Sequence, residues 1–388
     1  MSKLKMLYAS PFAPKKSGIS DYSEILVHAL SKKFDITLLI DDYKIECESL
    51  KNYDVLRYKK DTIDFSSYDY LVYNMGNNPD FHDYMYELCI AHPGLIILHD
   101  FVLYYLFVGH YQKLGTLYSK LYEFGGRDAL LTVKNAVKVN GNSLLEQKEL
   151  AARLPLNKEL LESGNKIMVH SEYALNAVLE HTDQARRIPM IQQVSSAFTL
   201  IDKEKLFKKY GIPKDAYIIS SFGIVAPSKL NHVACEVVQR MGKNSDKELC
   251  YVMVGEGEYV DSYVDGKRII KTGYVDMDEF DSFIVHSDMV LNLRHPSMGE
   301  TSAALVKILQ MGKPCVIVDE AWFSEIPDTC AIKLSVNEIE RQLEDKLAEY
   351  INDDKKCEML GTNARNYIAK EYSEDYIISE IERFLMEQ

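Results

Sequence analysis

Residues 287–328 read SDMVLNLRHPSMGETSAALVKILQMGKPCVIVDEAWFSEIPD, and the predicted fold follows from this stretch. The apolar run MVLNL is followed by a polar loop, a helix-like stretch that opens on residues 300–302, a Gly-Lys-Pro turn and the apolar run CVIV. This order predicts one parallel βαβ unit. The loop after the first strand leads to the start of the helix, where unpaired N–H groups and the positive end of the dipole favour a phosphate. The stretch therefore predicts a nucleotide-diphosphate site.

The same alternation of apolar runs and helical stretches extends over the whole chain. A length of 388 residues suits two domains. Two successive sets of βα units predict an α/β protein with two doubly wound domains, 1–195 and 196–371, each with a parallel sheet. The predicted strands are Leu4–Ala9, Ile36–Ile40, Tyr70–Tyr73, Leu95–Leu98 and Lys166–Val169 in the first half, and Tyr217–Phe222, Leu249–Val254, Arg268–Lys271, Met289–Leu293 and Cys315–Val318 in the second.

Composition excludes several classes of function. The net charge of −13 argues against nucleic acid as a general partner, because there is no basic excess to neutralise phosphates. The seven cysteines form no CxxC pair, so neither a zinc ribbon nor a redox motif is indicated. The N-terminal apolar run is too short for a secretory signal, and no stretch approaches the ~18 apolar residues of a membrane span. We expect a cytoplasmic protein.

Residues 287–328 resemble the donor-binding region of glycosyltransferase family 4, whose members are retaining enzymes of the GT-B fold. The resemblance extends over most of the chain and is tightest between Gly273 and Asp328. It implies two Rossmann-like domains that face a cleft, the first on the acceptor side and the second binding the nucleotide sugar. It also implies a C-terminal helix, within 372–388, that crosses back to the first domain. The matching residues are Arg294, Pro296, Gly299–Ser302, Gly312–Pro314 and Trp322-Phe323.

The donor-side candidates follow strands of the second half, since open parallel sheets bind ligands beyond the carboxyl ends of their strands. The resemblance implies that Glu300 contacts the sugar, and that a second glutamate, separated from it by seven residues, contacts the ribose. That position is Ile308, next to Lys307, so the second glutamate is missing. Alternatively, Glu300 is an acid that favours the helix dipole. The predicted ligands of the diphosphate are Lys229, Arg294, Gly299, Thr301 and Ser302.

Lys229 and Arg294 carry the positive charge of this predicted site. The resemblance implies an Arg and a Lys in the loop after Phe222, but only Lys229 is present, and Arg294 is the candidate for the missing charge. The alternative for Lys229 is a solvated surface lysine.

In the first half, Gly18 lies in a loop that resembles the glycine-rich loop of the family. Its alternative is an ordinary loop with Ser20 or Asp21 as the N-cap.

The acceptor-side candidates follow strands of the first half. The resemblance implies that His99 is a catalytic residue close to the transferred sugar or the acceptor. Weaker acceptor-side candidates are Asn77, His82, Asp100 and His170. A satisfied structural histidine is the alternative for each imidazole.

Three other patterns have plainer interpretations. The Gly255-Glu256-Gly257 run lacks the third glycine of a dinucleotide fingerprint. Asp276-Met277-Asp278 matches an Asp-x-Asp metal motif, but it begins a helix and we interpret it as a cap, with no catalytic metal. The aromatic segment 101–124 is interpreted as helices packed in the first domain, and docking on a membrane or a lipid-linked acceptor is the alternative.

The function predicted from these residues and from the resemblance is that of a retaining, metal-independent glycosyltransferase. It would use a nucleotide-diphosphate sugar, without a further cofactor, and a glycan, glycolipid or protein-linked hydroxyl acceptor. The alternatives are a nucleotide-sugar epimerase of the same fold, a non-catalytic sugar-nucleotide-binding subunit and, less favoured, a nicotinamide dehydrogenase. We expect membrane contact to be at most peripheral, at the inner face.

Overall fold

The computed structural model describes residues 3–140, 144–191, 200–243 and 245–387. These residues form two compact units. The first contains the described residues up to 191 together with 298–301 and 374–387, and the second contains 200–297 and 302–373. The predicted boundary between residues 195 and 196 lies outside the described residues.

The sheet of the first unit has seven parallel strands in the order β3-β2-β1-β4-β5-β6-β7. The central strands are apolar and buried, as expected for a parallel sheet that is covered on both faces. The strands are β1 (Leu4–Ala9), β2 (Phe34–Ile40), β3 (Asp54–Arg57), β4 (Tyr70–Met75), β5 (Leu95–Leu98), β6 (Lys166–Val169) and β7 (Ala185–Arg187).

The sheet of the second unit has six parallel strands in the order β10-β9-β8-β11-β12-β13. In both sheets the order reverses beside the first strand, which is the usual place for a ligand in a doubly wound fold. The prediction of two parallel sheets is confirmed. The strands are β8 (Tyr217–Phe222), β9 (Leu249–Val254), β10 (Ile269–Lys271), β11 (Met289–Asn292), β12 (Cys315–Val318) and β13 (Ile332–Leu334).

Helices connect most of these strands and cover the sheets. No helix in the described part of the chain is long and apolar enough to cross a membrane. The helices are α1 (Gly18–Leu30), α2 (Pro79–Ala91), α3 (Tyr104–Lys113), α4 (Leu117–Asn140), α5 (Lys148–Arg153), α6 (Lys158–Leu161), α7 (Glu172–Leu179), α8 (Lys203–Tyr210), α9 (Asn231–Met241), α10 (Met277–His286), α11 (Ala303–Gln310), α12 (Ile339–Tyr350), α13 (Asp354–Glu371) and α14 (Glu374–Met386).

The last helix, α14, belongs to the first unit. Its apolar face is buried, and its carboxyl end accepts hydrogen bonds from Lys166, whose Nζ lies 2.7 Å from the Phe384 carbonyl oxygen. An ion pair of 3.1 Å joins Lys33 to Glu382. A break after α13 separates α14 from the preceding helix, and α14 lies within the range 372–388 that was predicted for it.

Candidate functional site

Lys229 lies beyond the carboxyl end of β8, in a short turn that spans Pro227–Lys229. Its ammonium group donates a hydrogen bond of 2.6 Å to the carbonyl of Phe222, the last residue of the strand. Gly223 makes room for this contact, because a Cβ there would lie 2.7 Å from the lysine Nζ. The fold therefore holds one positive charge at the edge where ligands bind in parallel sheets.

The loop after β11 continues this edge of the second sheet. The backbone N–H of His295 donates to the Ser228 carbonyl at 2.8 Å, which places the segment of Arg294 beside the turn that carries Lys229. Glu320, just after β12, accepts a hydrogen bond of 3.3 Å from the Ser297 N–H and lies 3.0 Å from His295 Nδ1. Glu320 thus stabilises the loop.

Glu320 is a residue that the sequence patterns did not single out. The signal was present, because Asp319-Glu320 follows the apolar run CVIV, and polar residues directly after apolar strands supplied the other candidates. The sequence alone would still not distinguish Glu320 from the other polar residues at strand ends, because Glu320 belongs to no motif and contacts a loop that is distant in sequence.

Helix α11 begins at Ala303, so the predicted start at Glu300 is wrong by three residues. Ser302 is the N-cap, and its hydroxyl accepts a hydrogen bond of 3.2 Å from the Leu305 N–H. Glu300 and Thr301 precede the helix, which rules out Glu300 as an acid of the first turn. The first hydrogen bond of the helical ladder runs from the Val306 N–H to the Ser302 carbonyl, so the four preceding N–H groups, of residues 302–305, lie outside that ladder, and Thr301 is not among them.

Residues 298–301, which include Glu300, are part of the first unit. The Val102 N–H donates to the Met298 carbonyl at 3.1 Å. Gly299 has a φ of 77° and would place a Cβ 2.7 Å from the Cβ of Phe101, so only glycine fits there. The Glu300 carboxylate accepts a hydrogen bond of 2.7 Å from the Met298 N–H. The segment of Glu300 therefore lies against residues 101–102, directly after His99 and Asp100.

The place of the missing second glutamate is closed to a ligand. Ile308 is fully buried in the core of the second unit. The neighbouring Lys307 extends to Asp281 on α10, with 2.5 Å between the ammonium nitrogen and the carboxylate oxygen. Both side chains are largely shielded from solvent, and burial raises the pKa of Asp281 while the hydrogen bond from Lys307 opposes the shift. The Lys307–Asp281 ion pair and the buried Ile308 therefore occupy the region for which the resemblance implied a ribose contact.

His99 lies at the carboxyl end of β5 and is 8% exposed. Its backbone N–H donates to the Met75 carbonyl, and its Nε2 lies 3.1 Å from the side-chain oxygen of Asn74. Burial lowers the pKa of His99 well below its ordinary value, and the nearby imidazoles of His170 and His82 lower it further. The ring is neutral near pH 7. If Nε2 donates to Asn74, the lone pair is on Nδ1.

Asn77 and His82 have structural partners. The side-chain oxygen of Asn77 accepts hydrogen bonds from the N–H groups of Tyr105 and Leu106, which caps α3. His82 is buried, its Nδ1 lies 3.0 Å from the Asn74 carbonyl, and burial lowers its pKa to about 4. We therefore do not include these two residues in the proposed acceptor site.

Asp100 follows His99 at the same strand end. Its carboxylate accepts a hydrogen bond of 2.9 Å from the Asn77 N–H. This contact fixes the loop after β4 to the loop after β5, where His99 lies. The acceptor-side assignment of Asp100 stays a prediction.

His170, at the end of β6, packs against His99 and Tyr22. The three ring centroids are 4.7 to 5.3 Å apart. Nδ1 of His170 lies 2.9 Å from the Ile188 carbonyl, and burial lowers the pKa of His170 to about 4. Its Nε2 and the Tyr22 hydroxyl are buried without a hydrogen-bond partner among the described residues. Tyr22 was not a candidate from the sequence, because no pattern there places it beside two histidines.

Gly18 is the first residue of α1, and the N-cap is Ser17, whose side chain accepts from the Ile19 N–H. The alternative caps Ser20 and Asp21 are therefore wrong. A Cβ at Gly18 would meet nothing within 4 Å among the described residues. Packing does not demand a glycine here, and the ligand interpretation of Gly18 stays a prediction.

The interpretation of Asp276 as a helix cap is confirmed, and the glycines at 255 and 257 have a structural role. A Cβ at Gly255 or Gly257 would lie 2.0 or 2.1 Å from a carbonyl oxygen of the neighbouring β8 loop, so these glycines serve a close backbone approach. The Asp276 side chain caps α10 by accepting a hydrogen bond of 2.9 Å from the Glu279 N–H. The prediction that the reaction needs no metal stays a prediction.

Comparison with protein families finds one match, in the second half of the chain. Residues 202–367 match the family model described as Glycosyl transferases group 1. No curated protein sequence matches the chain.

Among solved structures, the chain is similar to three proteins over nearly its whole length. HepE of Anabaena, crystallised with UDP and glucose, is 14% identical, with a TM-score of 0.66 and coverage of 98% of this chain and 99% of that one. WaaG, a glycosyltransferase of lipopolysaccharide biosynthesis, is 12% identical, with a TM-score of 0.61 and coverage of 99% and 100%.

Sucrose-phosphate synthase of Thermosynechococcus elongatus is 13% identical, with a TM-score of 0.63 and coverage of 98% of both chains. At these identities the likeness defines the fold alone, and it confirms the predicted GT-B architecture. The chain therefore has a GT-B fold, and residues 202–367 are similar to the group 1 glycosyl transferases.

Proposed function

We propose that the protein is a retaining glycosyltransferase that moves a sugar from a nucleotide-diphosphate sugar to a hydroxyl group of a glycan or glycolipid precursor in the cytoplasm. The observation that carries the proposal is the family match of residues 202–367, because that stretch contains Lys229, Arg294 and Ser302. HepE, of similar fold, was crystallised with UDP-glucose, which makes a uridine diphosphate sugar the first donor to try.

In the proposed reaction, the second unit holds the diphosphate. Negative charge develops on the diphosphate oxygen as the bond to the sugar breaks. The Lys229 ammonium, the Arg294 guanidinium and the first N–H groups of α11 stabilise that charge. The fold fixes the Lys229 ammonium and the start of α11 before the donor binds, so these groups need little reorganisation during the reaction. The mechanism needs no metal ion.

In this proposal, residues of the first unit bind the sugar and the acceptor. The Glu300 carboxylate accepts a hydrogen bond from a sugar hydroxyl. The neutral imidazole of His99 accepts one from another hydroxyl group of the sugar or the acceptor, not from the hydroxyl that reacts. No side chain in this arrangement acts as a nucleophile. The acceptor oxygen attacks the face from which the diphosphate leaves, the leaving oxygen takes the hydroxyl proton, and the configuration of the sugar is retained.

A non-catalytic, sugar-nucleotide-binding subunit is the second candidate function. It is favoured by one observation: a buried Ile308 and the Lys307–Asp281 ion pair occupy the place of the second glutamate. A nucleotide-sugar epimerase would use the same diphosphate site but no acceptor.

One experiment separates these functions. The pure protein is incubated with UDP- and GDP-sugars, with and without a panel of hydroxyl acceptors, and products are followed by mass spectrometry and by the NMR coupling of the anomeric proton. We expect a transfer product that keeps the donor's anomeric configuration. An inverted product would contradict retention, epimerised donor would favour the epimerase, and binding without turnover would favour the subunit.

A variant links the activity to the proposed site. Lys229→Gln should reduce turnover, because the charge-assisted contact to the diphosphate is lost. Lys205→Gln, at an exposed position of α8 in the same unit, is the matched control and should keep the parent rate. Equal rates for both variants would show that Lys229 does not contribute to the reaction.

A further inference from the structure

The aromatic segment after β5 is only partly core. Its apolar residues Leu103, Leu106, Phe107 and Leu121 are fully buried, which agrees with the interpretation as packed helices. Three others face solvent at a spacing of four residues: Leu114 is 54% exposed, Tyr118 43% and Tyr122 63%. The proposed glycosyl transfer does not use them.

The bend in α4 places basic residues beside these aromatic rings. Gly126 leaves the helical conformation, with φ 72° and ψ −174°, and divides the helix in two. Lys134 in the second half lies 5.2 Å from the ring centroid of Tyr118 in the first half. In a straight helix, sixteen residues would separate them by roughly 24 Å. The two halves therefore present one continuous surface.

The charge of this surface is opposite to that of the chain. Residues 113–139 contain five basic and two acidic residues, whereas the whole chain carries −13. Lys113 pairs with Asp83 and Lys120 pairs with Glu123. Arg127, Lys134 and Lys138 are exposed, and none of them forms a salt bridge with a side chain that the structure describes.

Arg127, Leu131, Lys134 and Lys138 recur at helical spacing on one exposed face of the second half of α4. We propose that the α4 surface, formed by this face together with Tyr118 and Tyr122, docks on an anionic lipid bilayer. Tyrosine is suited to the headgroup level, where its ring is buried and its hydroxyl stays in contact with water. Lysine and arginine are attracted by the negative surface potential of anionic lipids.

Charge complementarity selects this partner. The strongly acidic remainder of the chain would be repelled by such a bilayer, so the protein would bind with the α4 surface facing the lipid. The attraction acts over about 10 Å at 0.1 M salt, and it should weaken as salt is raised. Binding through this surface does not depend on the proposed transfer reaction.

The test is cosedimentation of the full chain with phosphatidylcholine vesicles that contain or lack phosphatidylglycerol. We expect binding to the anionic vesicles alone, and weaker binding at high salt. The triple variant Arg127→Glu, Lys134→Glu, Lys138→Glu should lower the partition coefficient by at least about 100-fold, since each basic residue near the surface contributes about fivefold. The matched control is Lys205→Glu, Lys208→Glu, Lys355→Glu, three exposed lysines of the second unit with the same change of charge.

A second variant keeps the charge and removes the rings. Tyr118→Ser, Tyr122→Ser should also weaken binding, by about tenfold, because apolar ring surface is lost from the contact. Thermal unfolding is the check that the variants are folded. No binding of the parent protein to anionic vesicles would overturn the proposal. Equal binding to neutral vesicles, or equal losses in the triple variant and its control, would overturn it as well.

Discussion

The carboxyl edges of the two sheets use different chemistry. The edge of the second sheet carries fixed positive groups: Lys229 over the end of β8, the Arg294 loop held by Glu320, and the start of α11. The edge of the first sheet carries His82, His99 and His170, which burial keeps neutral. A diphosphate suits the positively charged edge of the second sheet, and an uncharged hydroxyl suits the neutral edge of the first sheet.

Because their chemistry differs, the two edges should respond differently to substitution. A cation that faces a diphosphate acts through charge, so its removal should weaken binding of the nucleotide. A neutral imidazole acts through one hydrogen bond and its geometry, so its removal should slow transfer and leave nucleotide binding unchanged.

The largest effect is expected for Glu300→Gln. The substitution removes a charge-assisted hydrogen bond to the sugar, which is worth roughly 1.5–3 kcal/mol, or about 10- to 100-fold in rate. The amide oxygen of glutamine can still accept the Met298 N–H, so the loop should keep its conformation. Steady-state transfer kinetics measure the loss. The matched control is Glu180→Gln, at an exposed position of the first unit directly after α7, and a similar loss there would contradict the role of Glu300.

His99→Ala should lower transfer by about tenfold, the cost of one neutral hydrogen bond. Asn74→Ala should have a smaller effect, because the imidazole stays and loses only the partner of its Nε2. Transfer rates are compared at a temperature where thermal unfolding finds all the proteins folded. An unchanged rate in His99→Ala would remove this residue from the reaction.

The buried histidines also predict how stability depends on pH. The pKa values of His82 and His170 are about 4 in the folded protein and about 6.5 in the unfolded chain. As pH falls from about 6.5 to 4, the unfolded chain binds protons that the folded one does not. The free energy of unfolding should therefore decrease, by up to about 1.4 kcal/mol per pH unit for each histidine.

Urea unfolding at several pH values between about 7 and 5 checks this dependence. The double variant His82→Gln, His170→Gln should be less stable at neutral pH but should lose less stability as the pH falls. His181→Gln, at a partly exposed position, should keep the parent slope. If the double variant and the parent have equal slopes, the two imidazoles are not neutral and buried.

The smallest effect is expected for removal of metals, since the proposed site stabilises the diphosphate with cations of the protein. EDTA should leave the transfer rate nearly unchanged. Asp276, the strongest candidate for a metal ligand in the sequence, already accepts the N–H of Glu279. Loss of activity with EDTA, restored by manganese or magnesium, would show that this motif was misinterpreted.

The sequence predicted the buried strands well and the edge strands poorly. All ten predicted strands are present. Nine of them are central strands, which in a parallel sheet are continuous apolar runs, and the tenth, β10, lies at an edge. The missed strands β3, β7 and β13 are three or four residues long, lie at the edges of their sheets, and read DVLR, ARR and IKL. Edge strands need little apolar surface, so their sequences carry little signal.

Site residues that directly follow a strand could be predicted from the sequence. Contacts between segments that are distant in sequence could not. Lys229 and His99 lie at the strand ends to which they were assigned. The capping roles of Asn77 and Ser302, the contact of Tyr22 with two histidines, and the Glu320 contact with the loop depend on distances between elements. Periodicity and spacing do not encode those distances.

The most direct test of the contrast between the two edges is the affinity for a nucleotide diphosphate, measured by isothermal titration calorimetry on Lys229→Gln and His99→Ala. We expect Lys229→Gln to weaken binding by about 10- to 100-fold, because a charge-assisted contact is lost. His99→Ala should bind the nucleotide as tightly as the parent protein. The opposite pattern, with binding lost in His99→Ala and kept in Lys229→Gln, would contradict the assignment of the diphosphate to the second sheet.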